Sequence, residues 1–207
     1  MYCFFKTLFD YIFSIILLFL LSPIIFFCSL LIFFDLGAPI FFKQKRGGLD
    51  GEPFDIIKFR TMNNHGDLNP SKINDEKRTT KLGAILRKFS LDELPTLINI
   101  IKGEMSFVGP RPLLYEYKKH YNDNQKKRFL VKPGITGWAQ VNGRNELSWE
   151  EKFNLDNWYI KNQTLLLDFK IILMTVKKIF LNTDVDFDKS KDDIKFRGKN
   201  ENNKSWH

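Results

Sequence analysis

"YIFSIILLFLLSPIIFFCSLLIFF", residues 11–34, holds 24 consecutive residues without a charged side chain. At ~1.5 Å of rise per residue, a helix of that length crosses the ~30 Å hydrocarbon core of a bilayer. Asp10 and Asp35 bracket it. The run is too long for the apolar core of a cleaved signal peptide, and no small-residue cleavage site follows. Ser22-Pro23 falls near its centre. Pro23 has no amide hydrogen and its ring crowds the preceding turn, so the helix is expected to bend or break there. Each arm is then about a dozen residues, roughly 18 Å of helix, too short to span alone. The expectation is a helix–break–helix over residues 1–36 that re-enters on the side it left, with Ser22 bonding a carbonyl freed at the bend. A kinked full span is the alternative. Lys43, Lys45 and Arg46 follow the run, which favours a cytoplasmic location for the rest of the chain.

Outward from this segment, the 207 residues suit one domain with an appendage, and the net charge of +8 favours anionic partners. The two cysteines, Cys3 and Cys28, lie in or beside the apolar run and read as buried fillers, not as a disulfide or a zinc site. His65, His120 and His207 are far apart, and no HExxH, GxxxxGK[ST] or GxGxxG pattern is present. Residues 39–61 read as a β-hairpin about "GGLDG", whose second arm alternates Phe54, Ile56, Lys58 and Arg60 onto one face. The pair Lys58 and Arg60 suits either a solvated basic edge or a grip on phosphate. Residues 63–80 are polar and irregular, and read as a loop. "KLGAILRKF" then has helical spacing, with Leu82, Ile85, Leu86 and Phe89 on one face. Residues 148–162 open on a Ser148/Glu151 capping box, with Trp149, Phe153, Trp158 and Tyr159 most simply in the core. "LLLDFKIILMTVKKIFL" (165–181) is too charged to span; a core helix and an amphipathic interfacial helix fit it equally. The expected fold is α+β and mostly helical: a membrane-inserted segment 1–36, a catalytic domain 37–181 with a small hairpin and interfacial helices, and a polar, disordered tail 182–207.

The chemistry centres on "SLDELPTLINIIKGEMSFVGPRP" (90–112), which sets Asp92 beside Glu93. Ser90 to Glu93 has the form of a capping box, with Pro95 in the first turn and Leu94, Leu97, Ile98 and Ile101 as an apolar stripe. Read alone, that structural role outranks a catalytic one. "GPRP" fixes Arg111 in a stiff turn before Pro112, and "KPGITGWAQVNGR" (132–144) is a glycine-punctuated loop ending in Arg144. Lys58, Arg60, Arg87, Arg111 and Arg144 all neighbour turns or element ends. If they converge on the acidic pair, the pocket suits phosphoryl chemistry, in which cations offset the repulsion between a carboxylate and a diphosphate.

These motifs, with "KFRTM" (58–62) and the helical region 155–168, resemble the bacterial sugar transferases, and more narrowly the small monotopic phosphoglycosyl transferases. The resemblance runs from the membrane segment to about Leu181. It implies a polyprenyl-phosphate sugar-1-phosphate transferase at the cytoplasmic face of a bacterial inner membrane, catalysing the first membrane step of glycoconjugate assembly. Carried onto this sequence, it makes Asp92 the nucleophile that takes the phosphosugar from a UDP-sugar, releases UMP and passes the group to undecaprenyl phosphate. Glu93 assists as a ligand of Mg²⁺. Lys58, Arg60, Arg87, Arg111, Pro112 and Arg144 are assigned to phosphate and nucleotide, and Ser22-Pro23 to the membrane helix break. The stretch 142–162 most resembles the subset acting on N-acetylated deoxyamino sugars such as UDP-N,N'-diacetylbacillosamine. UDP-galactose, UDP-glucose and UDP-N-acetylgalactosamine stay open. Membrane lipid is an implied partner, and a homodimer is compatible.

The competing readings are a membrane-anchored glycosyltransferase that releases UDP, a lipid diphosphate hydrolase, and a tethered basic module that binds nucleic acid or anionic lipid. The aromatics do not interleave with basic residues in a nucleic-acid motif, so nucleic acid is not an expected partner.

Overall fold

The structure, a computed structural model, describes residues 2–63, 78–143 and 146–181. Most of residues 63–80, Arg144 and the tail 182–207 therefore lie outside the described residues. The apolar run folds as one uninterrupted helix, α1 (Tyr2–Leu36), with Pro23 inside it. Of the expected bend or break, the break does not occur, while the expected bond from Ser22 to a freed carbonyl does. Pro23 cannot serve the carbonyl four residues back, which is that of Phe19, and Ser22 Oγ donates to that carbonyl at 2.8 Å. The freed acceptor is satisfied locally, so the chain has no need to leave helical geometry. Of the helices described, α1 alone is long and apolar enough to cross a membrane. One narrow stripe of it is buried, at Asp10, Ser14, Cys28 and Ile32. Phe13, Leu17, Leu18 and Leu21 continue this stripe against the main core, and Ile25 against a second cluster around Phe59 and Leu86. The rest of its surface, from Phe4 to Phe34, is exposed and apolar.

Both ends of α1 are fastened to the domain by polar contacts. At the start, Lys6 and Tyr2 each lie 2.8 Å from Asp168 Oδ2, and Asp10 accepts from the Phe107 amide. At the end, Arg60 donates to the carbonyls of Leu36 and Gly37. A cation there meets carbonyls that the helix terminus leaves unpaired.

The hairpin forms as expected. β1 (Phe41–Gly47) pairs antiparallel with β2 (Pro53–Phe59), with Gln44 opposite Ile56 and Arg46 opposite Phe54. The unpaired edge of β2 is covered by the acidic segment. Thr96 Oγ1 donates to the Ile57 carbonyl at 2.9 Å, and Asn99 accepts from the Ile57 amide at 3.0 Å and donates to the Asp55 carbonyl at 2.8 Å. Helix α2 (Lys81–Lys88) is capped by Thr80 and buries Gly83 and Leu86, whereas Ile85 and Phe89, of the same apolar face, are exposed.

A 3₁₀ turn over Leu91–Thr96 and the short helix α3 (Leu97–Ile101) lead to β3 (Ser106–Val108). That strand pairs in parallel with β4 (Gly134–Thr136). A Cβ at Gly109 or Gly134 would run into the backbone of the other segment, so these glycines permit close approach. Between the two strands lie α4 (Asp123–Lys126) and short 3₁₀ turns. Helix α5 (Trp138–Val141) follows, then α6 (Trp149–Lys161) with its Ser148/Glu151 capping box in place, and α7 (Leu165–Leu181). Phe153 and Tyr159 of α6 are core residues, whereas Trp158 is exposed and stacks on Trp138. On α7, Ile171 and Asp168 are buried, while Leu165, Leu166, Phe169, Leu173, Val176 and Leu181 are exposed. That amphipathic division favours the interfacial reading over a core helix.

Candidate active site

The acidic pair does not sit in a capping box. Ser90 adopts a left-handed backbone (φ 55°) and its side chain caps nothing. A serine there is strained, and strain of this kind collects at functional sites. Released from a capping role, the Glu93 carboxylate turns to cations from two other segments. Its Oε1 lies 2.5 Å from Lys58 Nζ on β2 and 3.4 Å from Arg111 Nη2 in the Pro-Arg-Pro turn.

Lys58 and Glu93 are both largely buried, whereas the Arg111 side chain is 41% exposed. Burial pulls the Lys58 ammonium below the usual lysine range, aided by Arg111 and opposed by Glu93. Burial also pushes Asp92 above the usual carboxylate range, and the adjacent Glu93 adds to this. Lys58, Arg87 and Arg111 pull it back. Asp92 therefore feels three cations from three segments. Arg87 is aimed by a 3.0 Å bond from its Nε to Thr61 Oγ1.

An open cleft lies beside the pair, lined by residues including Lys58, Glu93, Thr96, Arg111, Pro112 and Arg46, with Asp92 next to this lining but not part of it. The fold thus brings together Asp92, Glu93, Lys58, Arg87, Arg111 and Pro112. It does not bring Arg60 to them: that residue follows the end of β2 and its guanidinium is spent on the end of α1. Arg144 lies outside the described residues.

Arg46 is a cleft cation that the sequence reading passed over, taking it only as a flanking charge. Its Nη1 donates to the Pro112 carbonyl at 3.1 Å and its Nη2 to Gln44 Oε1 at 2.5 Å. Burial and the nearby Arg111 pull its pKa down to about 10. The hairpin register carried the signal: residues opposite each other share a face, so Gln44 and Arg46 lie on the face of Ile56 and Lys58.

A divalent cation needs oxygen donors. Among the described residues no cluster of three or more His, Cys, Asp or Glu is present. Two neighbouring carboxylates remain, which fits an ion of the magnesium kind held by one or two carboxylates together with substrate phosphate oxygens.

Comparison with known proteins bears on this arrangement. The profile of the bacterial sugar transferase family matches residues 1–182. The chain is 50% identical over 177 residues to an uncharacterised sugar transferase, EpsL, of Bacillus subtilis, covering 86% of this chain and 88% of that one. It is 37% identical over 194 residues to the exopolysaccharide production protein ExoY of Sinorhizobium fredii, covering 86% of each. It is also 37% identical over 183 residues to the UDP-glucose:undecaprenyl-phosphate glucose-1-phosphate transferase of Escherichia coli, covering 84% of this chain but 39% of that longer protein. With a family match over nearly its whole described length, the chain belongs to the bacterial sugar transferases.

Proposed function

We propose that the protein transfers a sugar-1-phosphate from a UDP-sugar to undecaprenyl phosphate and releases UMP. The observation that carries this reading is the meeting of the Asp92–Glu93 pair with Lys58, Arg87 and Arg111 beside an open cleft. An Asp92 carboxylate oxygen attacks the sugar-bearing phosphorus. The bond from that phosphorus to the bridging oxygen breaks, and UMP leaves with that oxygen. The phosphosugar, now an acyl phosphate on Asp92, is attacked at the same phosphorus by the lipid phosphate, which restores the carboxylate. One pocket then serves a soluble donor and a lipid acceptor in turn.

Lys58 and Arg111 fix Glu93 and add positive charge where the diphosphate accumulates negative charge. Asp92 and Glu93 would hold a divalent ion, taken as Mg²⁺, which when bound screens the diphosphate. Residues 37–181 form the catalytic portion on this reading, and α1 its membrane-inserted base. Because both ends of α1 bond to the same domain, they belong on the same side of the bilayer, which argues against a full span; on this reading the continuous helix returns to that side by bending at Pro23. The exposed apolar face of α7 suits the interface beside it. The basic residues Lys43, Lys45 and Arg46 after α1 support the cytoplasmic face of the inner membrane on this reading.

The test is nucleotide release. The full chain in nanodiscs, with Mg²⁺ and undecaprenyl phosphate, is offered UDP-glucose, UDP-galactose, UDP-N-acetylgalactosamine and UDP-N,N'-diacetylbacillosamine. UMP from one donor, absent with Asp92→Asn, is the expected result and names the sugar. UDP as the product would overturn the mechanism in favour of direct glycosyl transfer.

A further inference from the structure

The turn Pro110-Arg111-Pro112 cannot hold itself. Two of its three residues lack an amide hydrogen. Its three carbonyls are instead held one by one from outside. The Pro110 carbonyl accepts from the Gly134 amide at 3.0 Å, the Arg111 carbonyl from Arg128 Nη2 at 2.5 Å, and the Pro112 carbonyl from Arg46 Nη1 at 3.1 Å.

Arg128 is the member of this set that does not line the cleft. It is 6% exposed, and its Nη2 also lies 3.2 Å from Asp156 Oδ2 on α6, itself 5% exposed. Its Nη1 donates to the Tyr121 hydroxyl at 3.4 Å, and its guanidinium carbon sits 5.4 Å from the Phe153 ring centroid. A buried ion pair is a poor device for stability, since desolvation offsets the attraction. Here burial outweighs the pull of Arg128 and pushes Asp156 up to about 6. What the pair does accomplish is geometric: a planar fork, gripped by carboxylate, hydroxyl and ring, leaves one donor aimed at a single carbonyl.

We propose that Arg128, locked by Asp156, is a positioning residue: by holding the Arg111 carbonyl it aims the Arg111 side chain at Glu93 and at the donor's phosphates. The last clause rests on the function proposed above.

The test uses the full chain in nanodiscs and the double variant Arg128→Met/Asp156→Leu, which replaces the pair with apolar groups and strands no charge. Arg128→Lys, which keeps the charge and loses the fork, accompanies it. Both variants are expected to lose roughly 10- to 100-fold in kcat/KM for UMP release, as misplacement of a binding group does. The urea midpoint of the double variant stays at or above wild type. Adding Arg111→Met to either causes no further loss beyond Arg111→Met alone, because the two act through one group.

A separate readout needs no substrate. Hydrogen exchange at the Gly134 amide, which donates to the Pro110 carbonyl of the same turn, quickens about tenfold in the double variant, by loss of one restraint on that turn. Activity within twofold of wild type, losses that multiply with Arg111→Met, or a midpoint that falls in step with activity would each overturn the positioning role. Wild type that releases no UMP from any donor sinks the proposed function instead. The exchange result then decides the positioning of the turn by itself, and unchanged exchange overturns it.

Discussion

Asn99 ties the strand that carries Lys58 to the helix that follows the acidic pair, so its removal should be felt in both fold and site. It is fully buried. Its Oδ1 accepts from the Ile57 amide, and its Nδ2 donates to the Asp55 carbonyl and, at 2.6 Å, to Glu104 Oε2. In Asn99→Leu the buried Ile57 N–H loses its partner, at a cost of about 2 kcal/mol. The Asp55 carbonyl and Glu104 are half-open to water and recover most of what they lose, so they add only about 1 kcal/mol more. The expected destabilisation is therefore about 3 kcal/mol. Asn99→Asp should cost more than Asn99→Leu: it keeps an acceptor for Ile57 but loses both donors and sets a second carboxylate against Glu104. Urea titration of the full chain in detergent micelles, followed by tryptophan fluorescence, measures both. The surviving folded enzyme should also show a lower kcat, because Lys58 is the next residue along the loosened strand. A loss below about 1 kcal/mol for Asn99→Leu would refute this account, since it would mean that water or a shifted neighbour takes over the Ile57 amide.

Four other outcomes follow from the geometry. Because the Asp92 pKa is raised, its ionised form is disfavoured by the fold; Asp92→Asn should raise the melting temperature while abolishing turnover, and a lowered melting temperature would contradict the burial argument. For the same reason kcat/KM should fall with decreasing pH at a point above the ordinary Asp range, as Asp92 takes up its proton. Asp156 is about 6 in the fold against 3.8 unfolded, so the native state keeps this proton while the unfolded state releases it. Its contribution to stability falls by about 3 kcal/mol as pH rises from 4 to 6 and is flat above, so the urea-midpoint advantage of Arg128→Met/Asp156→Leu should be larger at pH 7.5 than at pH 4.5. Arg60→Met should lower stability by about 2 kcal/mol through its lost bonds to the end of α1, with KM for the donor unchanged; a raised KM at unchanged stability would return Arg60 to the donor site.

The features legible in the sequence are those set by local pattern. The apolar run, the hairpin about Gly47–Gly51 and the Ser148 capping box all depend on residues close in the chain, and each appears where the pattern puts it. The misreadings arose where a distant partner decided the outcome. Ser90 to Glu93 matches a capping box letter for letter, but Lys58 and Arg111 compete for the same carboxylate and hold it. Pro23 matches a helix breaker, yet the hydroxyl one residue earlier restores the missing bond. Arg60 shares the alternation of Lys58 only while the strand lasts, and β2 ends at Phe59. Ile85 and Phe89 share an apolar face with Leu86, yet only Leu86 is buried, because periodicity reports that a face is apolar but not what it faces. Arg46 was the reverse case, a residue whose role needed the cross-strand register and not its own neighbours.

The two joints of α1 have a mechanical consequence. A rod pinned at one end swings, whereas a beam built in at both ends neither turns about its axis nor slides. The first joint is Lys6 and Tyr2 on Asp168, and the second is Arg60 on the last carbonyls. A sideways load on the middle of the beam, where Ser22 and Pro23 are exposed, is shared between those joints and the apolar stripe from Leu17 to Ile25. The first joint leads through Tyr159, which bonds both Asp168 and the Val108 carbonyl, to the strand just ahead of the Pro-Arg-Pro turn. The second leads to the strand that ends one residue after Lys58. If α1 is seated in a bilayer as proposed, thickness or tension there would reach the two sides of the cleft, one bearing Arg111 and the other Lys58.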